Sequence, residues 1–254
     1  MDTIINLIDS ILQIIDRVFI RSDRYLLWLT GLQNTLLITF FALLLGIAIG
    51  FFVAVIRVTH DSVRQPHILI RIPNRIVTIY VTAIRGIPMM VQLMIMNFIV
   101  FAASRNLIMI GMLAFGINSG AYVSEVFLGG IQSVDKGQTE AGRSLGLNFP
   151  QTMLKIIMPQ AIKNSLPALG NEFIALLKET SIAGVIGIMD ITRAGAVIRG
   201  LTYDPTPLIF VASFYLILVM FLEFLVGKME KRLKKSDRPV VAKVERQRRT
   251  VPGK

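Results

Sequence analysis

The stretch LLITFFALLLGIAIGFFVAVI, residues 36–56, runs for 21 positions without a charged residue. A helix of about 20 apolar residues is long enough to cross the hydrocarbon core of a bilayer. Hydrophobic residues make up 54% of the 254-residue chain, and they cluster in such runs instead of alternating as the strands of a membrane barrel do. The sequence therefore predicts an all-α membrane protein.

The apolar runs predict about five transmembrane helices, at roughly 27–56, 77–103, 107–130, 166–188 and 207–227. Residues 1–24 carry isoleucines at helical spacing opposite three aspartates, which is typical of an amphipathic helix at a membrane surface. After the last span, residues 228–254 contain eleven Lys and Arg against three acidic residues. We therefore expect an N-terminal amphipathic helix (1–24), a membrane domain (25–227) and a basic tail (228–254).

Basic residues are distributed unequally between the two sides of these spans. Of the 27 Lys and Arg, 19 fall in the 57–75 connector, in residues 131–165 or in the tail, six fall on the other side, and Arg85 and Lys178 lie within spans. Since cytoplasmic loops carry the excess of basic residues, the C-terminus is expected in the cytoplasm and the N-terminus outside. The net charge of +11 then reflects topology and proximity to anionic membrane lipid, and no nucleic-acid partner is expected.

Several kinds of chemistry are not expected of this chain. It has no cysteine, and its two histidines, His60 and His67, share one arginine-rich connector without a carboxylate cluster, so no metal site is predicted. No phosphate-binding GxxxxGK[ST] motif occurs, because Gly227–Lys228 lacks the upstream glycine and the following hydroxyl. We expect no catalytic site, no bound cofactor and no ATP hydrolysis by this chain alone.

A polar stretch, EAGRSLGLNFPQTMLKIIMP (140–159), separates the third and fourth predicted spans. Residues 136–145 suit a short helix that ends at Gly146, where a left-handed backbone costs little. Asn148 as a cap and Pro150 in the first turn would start a second helix, which Pro159 divides or kinks. The pattern predicts two short helices joined by a sharp corner, a shape that fits a groove on another protein.

This stretch resembles the EAA loop of ABC-importer permeases. Five positions match in register, while Gly142 stands where a second alanine is usual and Met158 where leucine is usual. In that family the loop docks on the ATPase subunit and passes its motion to the membrane spans. The resemblance implies a coupling interface formed by Glu140, Ala141, Gly142, Leu145, Gly146, Ile156 and Pro159. The alternative is an amphipathic hairpin that packs only on its own helix bundle.

The resemblance extends over residues 31–227, through GLQNTLLIT (31–39), RGIPMMVQL (85–93), NSGAYVSEVFLGGIQSV (118–134) and NEFIALLKETSI (171–182). These segments are similar to the branch that imports polar amino acids such as histidine, glutamine, glutamate and arginine, although Ile87 and Ile182 replace the usual Thr and Leu. The family implies a type I importer in the inner membrane. Its partners would be two copies of an ATP-binding subunit that holds ATP and Mg, an external solute-binding protein and a second permease subunit, identical or homologous.

Polar residues inside the predicted spans are candidates for a translocation path: Glu125, Asn171, Glu172, Lys178, Glu179, Thr180 and Ser181. Charged groups are costly in lipid and usually face a bundle interior or a wet cavity. They could form a path for a zwitterion or pair between helices, and pairing is the favoured interpretation for Glu125, Lys178 and Glu179. Adjacent Lys178 and Glu179 point about 100° apart on a helix and cannot face one partner.

Two further points stay open at the level of sequence. The small-residue pairs Gly46/Gly50 and Gly116/Gly120 permit close helix contact, within this chain or between subunits. Two other classes of protein compete with the importer. A passive channel or ion-coupled carrier would leave the polar loop without a role, and a membrane enzyme would need a cluster of reactive residues that the sequence does not obviously supply.

Overall fold

The computed structural model describes residues 2–63 and 65–236, and every regular element in these ranges is helical. The helices are α1 (Asp2–Ile15), α2 (Tyr25–Asp61), α3 (Ile68–Gly86), α4 (Met89–Ile95), α5 (Leu107–Gln132), α6 (Lys136–Ser144), α7 (Phe149–Thr152), α8 (Met158–Glu179), α9 (Ile191–Thr202) and α10 (Thr206–Ser236). Wider, π-helical turns extend these helices at Asp16–Ile20, Met96–Val100 and Met153–Ile157. Tighter, 3₁₀-helical turns lie at Arg21–Asp23 and Thr180–Ile186. Helix α10 continues into the predicted basic tail, whose residues 237–254 lie outside the described part.

Three helices are long and apolar enough to cross a membrane: α2, α5 and the Thr206–Leu233 part of α10. Two bent pairs also qualify by composition, Ile68–Gly86 with Met89–Val100 and Phe149–Ile186 with Ile191–Thr202. The described chain thus has up to five spans if each bent pair counts as one. This agrees with the predicted number and confirms an all-α membrane protein.

The predicted second span, 77–103, is wrong as a single helix. The chain bends by 109° between α3 and α4, because Ile87 adopts an extended backbone (φ −103°, ψ 130°) and Pro88 starts the next helix. Proline has no N–H and disfavours a helical conformation in the residue before it. Apolar residues continue on both sides of this break, so hydropathy alone does not reveal it.

The predicted fourth span, 166–188, is also incomplete. Helical structure begins at Phe149 and continues to Ile186, and a bend of 49° then leads into α9. Gly187 takes φ +97° at the turn, and the side chain of Asp190 accepts hydrogen bonds from the backbone N–H groups of Thr192 (2.9 Å) and Arg193 (3.2 Å). An aspartate cap of this kind stabilises a helix start, so the segment expected to be a connector forms α9.

Glycines build the contact between α2 and α5. Four of them lie at this crossing: Gly46, Gly50, Gly116 and Gly120. A Cβ added at Gly46 would lie 2.7 Å from Ser119 Oγ, and one at Gly50 would lie 2.7 Å from Val123 Cγ1. These glycines therefore pack within one chain. Since the contacts advance together along both helices, α2 and α5 run parallel, and their C-terminal ends lie at the same end of the molecule.

The N-terminal segment is anchored near the start of α10. Phe19 packs against Trp28, with ring centres 5.7 Å apart, and Arg17 pairs with Asp204 at 3.2 Å. Hydrogen bonds from Thr206 lower the pKa of the Asp204 carboxyl, with Arg17 contributing in the same direction, so Asp204 is a carboxylate at neutral pH. The apolar face of α1 stays exposed (Ile4, 65%), as expected for a helix that lies on a membrane surface.

Candidate coupling loop and translocation path

The corner predicted at Gly146 is confirmed. Gly146 has φ +78°, and its N–H donates to Arg143 O at 2.9 Å. The next N–H, of Leu147, donates to Gly142 O at 3.0 Å. These two bonds form a Schellman motif, which satisfies the last carbonyl groups of α6 and turns the chain sharply.

The second helix of the loop also starts as predicted. The side chain of Asn148 accepts from Gln151 N, and the side chain of Gln151 accepts from Asn148 N, both at 3.0 Å. Pro150 occupies the first turn, where a missing N–H costs nothing. Pro159 does not divide the helix: it lies in the first turn of α8, directly after the wide turn Met153–Ile157. One helical run therefore extends from α7 to Ile186.

Five of the seven predicted coupling residues lie at the surface: Glu140, Ala141, Leu145, Gly146 and Pro159. Leu145 is 77% exposed at the corner, and Leu154, which the sequence analysis missed, is 68% exposed. Large exposed apolar residues beside charged ones are typical of docking surfaces.

Gly142 and Ile156 make packing contacts within the loop. Gly142 is buried, and a Cβ added there would lie 2.7 Å from Thr152 Cγ2 and 3.3 Å from Ile156 Cδ1. The small size of Gly142 thus allows α6 to approach α7 of this chain. Further along, Ile157 is buried with Val134 and Ala161, so the loop is fixed to the ends of α5 and α8 while its corner remains exposed.

All candidate path residues except Glu125 lie on α8 and on the turn that follows it. Glu172 is half-buried and accepts a hydrogen bond from Ser119 Oγ at 2.8 Å. Glu179 lies seven residues later, two helical turns along the same face, whereas Asn171 and Lys178 are exposed on a neighbouring face.

Two hydroxyl residues follow Glu179 in the candidate set. Thr180 is fully buried and donates its hydroxyl to Leu177 O at 2.7 Å. Ser181 is half-buried beside it. Of the seven candidates, six thus lie on one continuous helical run, and the two glutamates share one face of it.

Glu125 belongs to a separate cluster. Its Oε1 atom accepts from Arg57 Nη1 at 2.6 Å and lies 3.8 Å from Arg85 Nη1. The guanidinium of Arg85 also lies 5.4 Å from the ring centre of Tyr122. Glu125 is therefore an ion-pairing residue between α2, α3 and α5. Arg57 was expected in a connector, and its pairing with Glu125 was not predicted, because no periodicity relates α2 to α5.

Gln92 is a buried polar residue at the break between α3 and α4 whose structural role was not predicted from the sequence. Its side chain is buried, and Nε2 donates to Ile84 O at 2.7 Å and to Ile87 O at 2.8 Å. Its Oε1 accepts from Asn118 Nδ2 at 3.3 Å. Gln92 thus binds carbonyl groups that lose helical partners where α3 ends. A glutamine four residues after a proline, in an otherwise apolar run, is the available signal.

Comparison with known proteins identifies the family. Residues 69–235 match the model of the binding-protein-dependent transport system inner membrane component. The chain is 37% identical over 222 residues to the probable glutamine ABC transporter permease protein GlnM of Bacillus subtilis, covering 86% of this chain and 99% of that protein. It is 34% identical to the arginine transport system permease protein ArtQ of the same organism, with 82% and 93% covered.

Solved structures of ABC transporters are also similar to this chain. A crystal structure of an amino acid ABC transporter with histidines matches with a TM-score of 0.74 and 39% identity, covering 81% of this chain and 94% of that one. An inward-facing MetNI methionine ABC transporter shares the fold, with a TM-score of 0.69 and 22% identity over 84% and 99% of the two chains. The chain therefore belongs to the family of binding-protein-dependent transport system inner membrane components. It is a multi-pass permease of the ABC transporter class.

Proposed function

We propose that this chain is the permease subunit of an ATP-driven importer that carries a polar amino acid across the inner membrane by alternating access. The observation that carries the proposal is the uninterrupted helical run from Phe149 to Ile186. It connects the exposed corner of the loop to the half-buried Glu172 and Glu179. The names of the relatives, which include glutamine and arginine permeases, support a polar amino acid as the substrate.

In this proposal two partner ATPase subunits bind and hydrolyse ATP with Mg, and the permease itself binds no cofactor. Each ATPase receives one α6 corner in a groove, with Leu145 as the apolar anchor and Glu140 as a charged contact. A helix is stiff along its axis, so a displacement at Phe149 moves the polar face of α8 as a unit. Closing and opening of the ATPase pair would then switch access to the path between two sides.

The polar face of α8 supplies charges for a zwitterionic substrate. Glu172 and Glu179 would face the ammonium group, and Lys178 of a neighbouring face, or of the second permease subunit, would face the carboxylate. Five helices do not enclose a pathway alone, so a second subunit, identical or homologous, completes it. An external solute-binding protein delivers the amino acid, and the N-terminus lies outside with the loop and tail in the cytoplasm.

The test is copurification of the ATPase subunit with the full-length permease, together with ATP-dependent uptake. Glu140→Lys should lower ATPase copurification by roughly thirtyfold, as expected when a charged contact is reversed at an interface, and uptake should be lost. Asp61→Lys is the matched control. It makes the same change in charge at the exposed end of α2, which lies at the same end of the molecule as the loop, and it should leave both measurements unchanged.

The proposal fails if a permease that is properly inserted in the membrane takes up its substrate equally well with Glu140→Lys and without any ATPase subunit. That result would favour an ion-coupled carrier or a passive channel instead. A loss of ATPase binding in both variants would show that the α6 corner is not the specific docking element.

A further inference from the structure

A polar cavity of about 500 Å³ opens between α2, α3 and α5, away from the polar face of α8. Its lining is shared by the three helices and consists of Arg57, Thr78, Val81, Thr82, Arg85, Gly86, Tyr122 and Glu125. Nothing in the proposed transport mechanism uses these residues. Two arginines, two threonines and a tyrosine give the cavity an excess of hydrogen-bond donors.

The charges of the cavity do not balance. Both guanidinium groups converge on one atom, Glu125 Oε1, at 2.6 Å from Arg57 Nη1 and 3.8 Å from Arg85 Nη1. The described lining contains no second carboxylate, so two cations face one anion and the cavity has a net charge of +1. The side chain of Arg85 is 47% exposed and keeps N–H donors that Glu125 does not engage.

Helix α3 is also basic along its length, since its 19 residues include three arginines and no acidic residue. Spacings of four, three, four and three residues place one polar stripe on an exposed face: Arg71, Arg75, Thr78, Thr82 and Arg85. A second exposed stripe is apolar: Ile68, Ile72, Ile76 and Ile79. The third face, including Val77 and Val81, packs on α2 and α5.

A helix with adjacent basic and apolar exposed stripes is typical of helices that lie at a bilayer interface and attract anionic lipid. The bend of 109° between α3 and α4 fits this interpretation, because α3 then lies at a steep angle to α4, the other half of this bent pair. The cavity lies at the C-terminal end of α3, where a phosphate would meet Arg85 and Thr82 while acyl chains follow the isoleucine stripe.

We infer that the cavity formed by Arg57, Arg85, Thr82 and Tyr122 is a phosphate site that binds the headgroup of an anionic phospholipid. Arginine is suited to this ligand because its planar fork matches two phosphate oxygens. Glu125 holds Arg57 in place and tunes the site by offsetting one of its two positive charges. Basic pockets between membrane helices bind anionic headgroups by the same chemistry.

The experiment measures binding of short-chain phosphatidylglycerol and phosphatidylcholine to the full-length chain, purified in detergent and stripped of lipid, by native mass spectrometry. Phosphatidylglycerol should bind more tightly than phosphatidylcholine. Arg85→Gln should weaken phosphatidylglycerol binding about fivefold, and Glu125→Gln should strengthen it about fivefold, in line with the effect of one charge near an anionic lipid. Arg105→Gln, in the connector before α5, is the matched control and should have no effect.

Equal binding of the two lipids, or equal effects of Arg85→Gln and Arg105→Gln, would overturn the inference. So would weaker lipid binding by Glu125→Gln at an unchanged unfolding temperature, because removal of the negative charge from a correctly folded phosphate site should strengthen binding. Inorganic phosphate is titrated separately. If it binds with the same dependence on Arg85 and displaces the lipid, the site still recognises phosphate but takes it from solution.

Discussion

Gln92 shows how one side chain stabilises a break that the backbone alone would make costly. It donates to Ile84 O and Ile87 O and accepts from Asn118, all in a buried environment. Gln92→Leu keeps the volume roughly constant but leaves these groups without partners. Since an unsatisfied buried polar group costs about 1–3 kcal/mol, we expect the variant to lose roughly 2–4 kcal/mol of stability, measured by thermal unfolding in detergent.

The control for Gln92→Leu is Gln132→Leu at the end of α5, because Gln132 is exposed and should tolerate the same change. If the two variants unfold at the same temperature, water or a backbone shift satisfies the carbonyl groups at the break. In that case Gln92 does not hold α4 against α3.

Gly142 and Thr152 form a second residue-scale contact that can be tested by exchange. A methyl group at position 142 would lie 2.7 Å from Thr152 Cγ2 and 2.8 Å from Thr152 Oγ1. Overpacking of this kind costs roughly 1–3 kcal/mol, so Gly142→Ala should separate α6 from α7 and increase hydrogen exchange in residues 136–152.

Thr152→Ala removes both atoms that the new methyl group would meet, and with them a buried hydroxyl that has no hydrogen-bond partner. The double variant Gly142→Ala/Thr152→Ala should therefore restore protection to near the level of the original loop. Equal exchange in the single and double variants would show that the α6–α7 contact is not limited by this pair.

At the scale of elements, the close contact of the parallel helices α2 and α5 requires glycine only on the face of α5 that meets α2. A Cβ at Gly120 would lie 2.7 Å from Ile49 Cγ2, whereas one at Gly129 would meet nothing within 4 Å. Gly120→Ala should destabilise the protein by roughly 1–3 kcal/mol. Gly129→Ala should be neutral or stabilising by up to about 1 kcal/mol, because alanine restricts the unfolded chain. Unfolding temperatures that change in the same direction would contradict this assignment of faces.

The elements also show which features a sequence can predict. The corner at Gly146 and the cap at Asn148 were predictable, because each depends on the conformational preference of one residue and its immediate neighbours. The break before Pro88 and the start of α9 were missed, since hydropathy measures only how apolar a segment is. The Asp190 cap was an overlooked local signal, because its partners Thr192 and Arg193 are immediate neighbours, whereas the contact of Gln92 with Asn118 joins residues 26 positions apart and needs the packed helices.

The candidate site also contains features that have a local signal in the sequence and features that have none. The positions expected to contact the ATPase were predicted from a local motif, and five of the seven are exposed. The pairing of Glu125 with Arg57 joins residues 68 positions apart and has no local signature. The packing of Gly142 on Thr152 has no local signature either, because a small residue indicates a close approach without indicating which surface approaches.

At the scale of the whole molecule, the proposed transport depends on mechanical continuity between the loop and α8. Lys155 is exposed in the Met153–Ile157 turn, between the docking corner and the polar face. Lys155→Pro removes a backbone donor and introduces a clash that costs about 3 kcal/mol in a helix, so it should kink the run. We expect ATPase copurification to persist while ATP-dependent uptake falls by about tenfold or more.

Lys155→Ala removes the same side chain and keeps the helix, so it should retain both ATPase binding and uptake. Comparison of the two variants distinguishes a loss of transmitted motion from a loss of ATPase binding. Glu140→Lys alone cannot make this distinction. If Lys155→Pro transports normally, motion reaches Glu172 and Glu179 by another route, such as the contact of Ile157 with Val134 at the end of α5. If both variants lose uptake, the positive charge of Lys155 matters and continuity of the helix is not the cause.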